Sequence, residues 1–177
     1  MFLFITSSKD QPKKYRLLTV VFQQIIVIGF FLFVLFTSNP FNYLFPIPNE
    51  GLGLNPILQD PALAIHPPIL YLGYVGSSII FSGSLAAIVQ NYLSFNWAKH
   101  IKVWILASWI FLTIGIMLGS VWAYYELGWG GFWFWDPVEN VSLMPWLALT
   151  TLFHCILVLE KKPVLSSWVL VLSISTF

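Results

Sequence analysis

Four stretches of this chain carry no Asp, Glu, Lys or Arg: Leu17–Thr37, Ile69–Val89, Val103–Ala123 and Val141–Leu159. Each is long enough to cross a lipid bilayer, which takes roughly 20 apolar residues of helix. Four such runs predict an all-α fold, a polytopic transmembrane helical bundle. A fifth run begins near Val164 and reaches Phe177; at 1.5 Å per residue it would rise only about 21 Å, short of the hydrocarbon core. The expectation is one integral-membrane helical domain over residues 1–177, with four complete spans and a truncated fifth (164–177). The short fifth run suggests a chain that is cut off, or completed by another polypeptide. Composition agrees: 58% of the residues are hydrophobic, 18% aromatic and only 8% charged, with mean hydropathy +0.82. A soluble domain carries about a quarter charged residues, so lipid must be the solvent here.

The charges sort by connection. Lys9, Lys13, Lys14 and Arg16 precede the first span, Lys99 and Lys102 separate the second and third, and Lys161 and Lys162 follow the fourth. All eight basic residues therefore fall on one side. The other two connections, 38–68 and 124–140, hold Glu50, Asp60, Glu126, Asp136 and Glu139. The positive-inside rule then places the N-terminus in the cytoplasm or matrix and both acidic loops outside.

Met1–Ser7 is apolar but lacks the positive flank and small-residue cleavage site of a signal peptide; it could equally be the tail of a longer upstream helix. Cys155, the single cysteine, lies within the fourth span, so there is no disulfide framework and no metal-type cysteine pair. A phosphate-cradling glycine loop, a basic patch suited to nucleic acid, and internal repeats are all missing from the sequence.

The chemistry gathers in the outer connections. Between Trp129 and Trp135 the chain reads Trp-Gly-Gly-Phe-Trp-Phe-Trp. In an extended conformation Trp133 and Trp135 would share one face, and Phe132 and Phe134 the other. Gly130 and Gly131 would let the backbone approach a flat partner closely. A planar macrocycle suits such a platform, through burial and stacking. An interfacial aromatic belt is the alternative, and it accounts well for the scattered Trp97, Trp104, Trp122 and Trp168. Asp136-Pro137-Val138-Glu139 has the pattern of a capping box opening the fourth span. On that reading both carboxylates fix the loop to the helix and aim the tryptophans.

Three histidines remain. Pro67 and Pro68 fit the start of the second span, which puts His66 at the helix mouth on the outer surface. A helix N-terminus disfavours the imidazolium form, leaving the neutral imidazole that binds metals. His154 lies 13 residues into the fourth span, about 20 Å from its outer end. An imidazole at that depth either hydrogen-bonds a neighbouring helix or serves a buried cofactor. His100, beside Lys99 in the basic turn, reads as a solvated residue.

The block GWGGFWFWDPVEN resembles the tryptophan-rich WWD signature of membrane proteins that handle haem in cytochrome c maturation. Its wider context, LNPILQDPALAIHPPILYLGYVG and then WIFLTIGIMLGSVWAYYELGWGGFWFWDPVENVSLMPW, is similar to the CcmF-type haem lyases and the related nitrite-reductase assembly proteins. The resemblance runs from about Lys13 to Phe177. It implies cytochrome c-type biogenesis: haem brought by a membrane-anchored chaperone docks on Trp129, Trp133 and Trp135, with Gly130, Gly131 and Asp136 beside it. Its iron is held by two outer histidines, of which His66 matches the first. Its vinyl groups are joined to the two cysteines of a CxxCH motif in an apocytochrome. The family also keeps a haem b within the membrane, and His154 matches one of its axial ligands.

The family's second outer and second membrane histidines have no counterpart here, which implies a fragment or one piece of a split protein. Its partners would be the missing remainder, or other maturation subunits, in a bacterial inner or mitochondrial inner membrane. A haem transporter or relay, a haem b electron-transfer subunit and an inactive scaffold stand beside the ligase as alternatives.

Overall fold

A computed structural model describes residues 10–43, 45–51, 53–128 and 133–177. Among them are five α-helices: α1 (Lys13–Thr37), α2 (Pro61–Val89), α3 (Phe95–Glu126), α4 (Pro137–Leu159) and α5 (Ser166–Ser175), with a 3-10 turn at Pro56–Gln59. The first four are long and apolar enough to cross a membrane. The protein is an all-helical integral membrane protein.

The helices outrun the apolar stretches. α2 starts at Pro61 rather than Ile69, α3 runs from Phe95 to Glu126 rather than from 103 to 123, and α4 opens at Pro137. Hydropathy marks the part of a helix that meets lipid, whereas caps decide where the backbone leaves the helix. Asp60, Ser94 and Asp136 provide those caps through side-chain oxygens that accept backbone N–H groups. The partial fifth run becomes a ten-residue helix, shorter than 164–177. Its preceding residue, Leu165, is in the left-handed region at φ 65°.

His66 is accordingly not at a helix mouth. It lies in the second turn of α2, and Pro67 and Pro68 are inside that helix. Proline lacks the N–H that would bond four residues back, so the carbonyls of Leu63 and Ala64 lose their helical donors. The start is set upstream, where Asp60 Oδ1 accepts from Ala62 N at 2.7 Å and Leu63 N at 3.3 Å.

α2 and α3 pack antiparallel, and small residues bring them close. A Cβ on Gly73 would stand 2.7 Å from the Leu112 backbone nitrogen, and one on Gly115 2.7 Å from Leu70 Cα. Such contacts drive helix association in lipid, where apolar burial offers little gain. Ile80, Ile101, Ile105, Leu112, Leu149, Leu152 and Ile156 form the buried centre. α1 lies against α2 with most of its surface exposed, held by Gln23, whose amide donates to Ser78 Oγ at 2.8 Å and accepts from Ser82 Oγ at 3.1 Å. Lys102 near the start of α3 pairs with Glu160 at the end of α4.

Two minor expectations change. Trp97 is fully buried beside Tyr15 and Ile101 rather than set in a surface belt. His100 is half-buried within α3 rather than solvated in a turn.

Candidate functional site

α4 opens with two bonded carboxylates. Asp136 Oδ1 accepts the N–H of Glu139 at 2.6 Å, which satisfies one of the first-turn donors that a helix leaves free. Glu139 completes the reciprocal half differently from a capping box. Its Oε2 accepts from Phe134 N at 2.8 Å, two residues upstream of the cap. Asn140 Nδ2 donates to the Trp135 carbonyl at 2.9 Å. Two side chains of the first helical turn, Glu139 and Asn140, thus grip the backbone that carries the tryptophans, and Asp136 caps the turn that holds them.

That grip produces a turn, not an extended strand. Trp135 has φ 58°, a left-handed conformation that L residues rarely adopt, and its side chain is 70% exposed. Trp133 and Trp135 meet edge to face, with centroids 6.0 Å apart and planes at 84°. They touch but do not form one flat surface. Trp129, Gly130, Gly131 and Phe132 lie outside the described residues.

A second link ties the two acidic connections together. Tyr125, in the last turn of α3, donates its hydroxyl to Asp60 Oδ1 at 2.6 Å. The Tyr125 hydrogen bond holds the Asp60 carboxyl below its ordinary range, helped by the Ala62 and Leu63 N–H groups against a smaller opposing effect of desolvation. One carboxylate both caps α2 and fastens it to the end of α3.

Between these fastenings lies a cleft of about 90 Å³. His66 and Leu70 of α2, Trp122 of α3, and Trp133, Asp136 and Glu139 at the opening of α4 line it. Three residues expected to share a site (His66, Trp133 and Asp136) therefore do share one. The half-buried His66 ring points Nδ1 at the Gly115 carbonyl, 2.7 Å away. A carbonyl oxygen can only accept, so Nδ1 carries a proton, and in the neutral ring Nε2 keeps its lone pair.

His154 lies apart, 17 residues beyond the start of α4, or about 26 Å along the helix. Its ring is exposed, on a face shared with Met144, Leu147, Thr151 and Val158. Its Nδ1 approaches the Thr150 carbonyl at 2.8 Å, so Nε2 is again the free nitrogen. Thr150 is itself held: Trp109 Nε1 donates to its hydroxyl at 2.8 Å, and that hydroxyl donates to the Trp146 carbonyl. Trp146 Nε1 returns a bond to Thr113 on α3, and the Trp109 and Trp146 rings stack with centroids 6.2 Å apart.

The family model described as cytochrome C assembly protein matches residues 1–177, the whole length of the sequence. The chain belongs to that family. It is 55% identical over 166 residues to the cytochrome c-type biogenesis protein ccl1 of Rhodobacter capsulatus, covering 94% of this chain and 25% of the relative. To the cytochrome c-type biogenesis protein CcmF of Escherichia coli it is 55% identical over 153 residues, covering 86% of this chain and 24% of that one. A solved structure of cytochrome c heme lyase CcmF superposes with a TM-score of 0.71 at 29% identity, covering 98% of this chain and 28% of the other. The chain spans about a quarter of the length of these relatives.

The sequence pattern gives no sign of the Asp60–Tyr125 bond or of Trp122 in the cleft: among scattered interfacial tryptophans no spacing rule connects Trp122 to His66, and helix packing alone brings the two to one cleft. Asp60 was legible, since Asp60-Pro61 repeats the Asp-Pro pattern of Asp136-Pro137.

Proposed function

We propose that this chain is the haem-holding part of a cytochrome c haem lyase, acting in cytochrome c-type biogenesis. One observation carries the reading: an imidazole with Nδ1 fastened to a backbone carbonyl lines one cleft with Trp133 and Asp136. That is the donor arrangement of a histidine ligand whose other nitrogen is hydrogen-bonded.

The cleft is far smaller than the roughly 300–1,000 Å³ of a pocket that encloses a small molecule. The donor set fits an axial approach to a metal, while a macrocycle would have to extend past Trp133 towards the exposed Trp135. Haem, as substrate, brings the iron and the vinyl carbons that receive the cysteine sulfurs of an apocytochrome CxxCH motif. In this chain His66 ligates from the cleft, Trp133, Trp135 and Trp129 offer aromatic contact, and Gly130 and Gly131 allow close backbone approach. Asp136 and Glu139 hold the geometry of that loop.

His154 would hold a haem b at a second, membrane-embedded site, its exposed imidazole offering Nε2 as a ligand to the iron, with the remaining residues of that site supplied by the rest of the longer protein. The clustering of the seven described basic residues at one end of the bundle supports an orientation with the His66 cleft outside. Partners would be a haem chaperone, the apocytochrome and the remainder of the longer protein, within a bacterial or mitochondrial inner membrane.

An absorption spectrum of the detergent-purified chain, co-expressed with the remaining segments of a longer relative, tests this. A haem Soret band that falls with His66→Ala and with His154→Ala is expected. A band unmoved by either substitution would remove both ligand assignments, and no haem in any combination would leave a scaffold.

A further inference from the structure

The His66 imidazole lies directly against the backbone of α3. A Cβ built on Gly119 would stand 2.5 Å from His66 Cε1, 2.9 Å from Nε2 and 3.0 Å from Nδ1. Those three ring atoms are its nearest neighbours, so the space a side chain would take at position 119 is filled by the histidine. One turn earlier on the same helix is Gly115, whose carbonyl receives the Nδ1 proton at 2.7 Å.

The two contacts belong together. Within an α-helix the carbonyl of residue 115 faces the N–H of residue 119 and accepts it with one lone pair. A second donor must approach from the side, past the Cα of residue 119. With hydrogen as the only substituent there, a flat ring can reach the carbonyl. Any other residue puts a methyl or methylene group in its path.

We propose that Gly119 is a positioning residue for His66: the absence of a side chain lets the imidazole seat on α3, and the Gly115 carbonyl then fixes its Nδ1–H tautomer. The inference gives this detail to the proposed function, on which its purpose rests, but the seat itself exists without haem. Gly119 touches no substrate. It acts through the ring it admits, and so decides whether Nε2 faces the cleft as a lone pair.

Alanine at 119 pushes the ring off the carbonyl. The displaced ring would move into the cleft that Leu70 and Trp122 also line, out of reach of the Gly115 carbonyl. A freed imidazole exchanges its proton between the two nitrogens, and Nε2 then spends part of its time as a donor that cannot bind a metal. Alanine is otherwise the better helix former, so damage at this position is steric and local.

The test uses the full chain in detergent micelles with ¹⁵N-labelled histidine, His66 being assigned by its loss in His66→Ala. Two-bond ¹⁵N–¹H correlations report the tautomer. The wild type should show a single Nδ1–H form, and Gly119→Ala should lose it. The control is Gly83→Ala, farther along α2, whose Cβ would meet only side-chain ends, Tyr15 Oη at 3.0 Å and Ile101 Cδ1 at 3.1 Å. It should keep the wild-type signature. Retention of the Nδ1–H form in Gly119→Ala overturns the proposal, as does equal loss in Gly83→Ala, which would make Gly119 a packing residue only.

A variant that fails to fold does not block the test. In a His66→Ala background the ring is gone, so Gly119→Ala should fold as well as its parent; a double variant as damaged as the single one overturns the seat. Haem retention by the chain co-expressed with its completing segments gives a third measurement. A drop of about tenfold or more is expected for Gly119→Ala, the range for loss of a group that orients a metal ligand, with little change for Gly83→Ala. Should the tautomer shift as expected while no His66 variant alters haem binding, the seat stands and the ligand assignment falls. The reverse pattern, haem lost in His66→Ala with the tautomer indifferent to Gly119→Ala, retains the ligand and discards the seat.

Discussion

Replacing Asp136 separates a structural carboxylate from a chemical one. Its Oδ1 accepts the Glu139 N–H at 2.6 Å, and loss of an N-cap acceptor costs about 0.5–2 kcal/mol. Asp136→Ala should therefore raise the population of the frayed first turn of α4 by roughly 2- to 30-fold. Asp136→Asn keeps an acceptor at the cap and loses only the favourable meeting of an anion with the helix dipole, about 0.3–1 kcal/mol. Fraying has a further effect, because Glu139 in that turn holds Phe134 N at 2.8 Å, between Trp133 and Trp135. The tryptophans should loosen with the cap. Amide hydrogen exchange over residues 133–140 in detergent reads this directly: fast in Asp136→Ala, close to wild type in Asp136→Asn. Haem retention should follow the same order. An Asn variant that exchanges like wild type yet has lost haem as completely as Ala would refute the capping account and make the charge itself the requirement. So would an Ala variant with unaltered exchange.

Thr150→Val removes the hydroxyl that receives Trp109 Nε1 but keeps the carbonyl that receives His154 Nδ1. Stability against SDS should fall by about 0.6–1.7 kcal/mol, the range for interhelical hydrogen bonds in lipid, while the His154 tautomer seen by ¹⁵N NMR stays unchanged. Tyr125→Phe deletes the hydroxyl that depresses the Asp60 pKa. A depressed folded-state pKa stabilises the fold fully above the unfolded value, about 3.9, and that stabilisation disappears as pH falls through the folded value. The melting-temperature gap between wild type and Tyr125→Phe should thus be open at pH 7 and narrow below about pH 4; a gap that stays constant with pH would show that Tyr125 acts by packing alone.

The helices were legible because lipid imposes one rule on all of them: no charges and some twenty apolar residues. Their ends were less so, since caps follow local chemistry. Asp136-Pro137 marks one helix start and the same dipeptide at Asp60-Pro61 marks another. Three proline-bearing positions within eight residues offer several starts, and only the Asp60 side chain, accepting two N–H groups, distinguishes the real one. A start at Pro67-Pro68 would put His66 at a surface mouth, whereas it sits one and a half turns into α2. Of the expected tryptophan face, residues 129–132 lie outside the described residues; Trp133 and Trp135 do meet, but edge to face at 6.0 Å rather than as one flat surface, with Trp135 left-handed at φ 58°.

The two histidines meet one requirement by different means. Each turns Nδ1 to a backbone carbonyl and leaves Nε2 free, but His154 uses Thr150 on its own helix whereas His66 uses Gly115 on another. The His154 arrangement is local. It exists whenever α4 is helical, with its ring on an exposed face of the bundle. The His66 arrangement exists only when α2 and α3 are seated in register, and the Asp60–Tyr125 bond fastens that pair just beyond the cleft. A change that slides α2 along α3 should therefore disable the His66 cleft while leaving His154 oriented as before. Loss of the two proposed haem sites together would instead place their coupling in other segments of the longer protein.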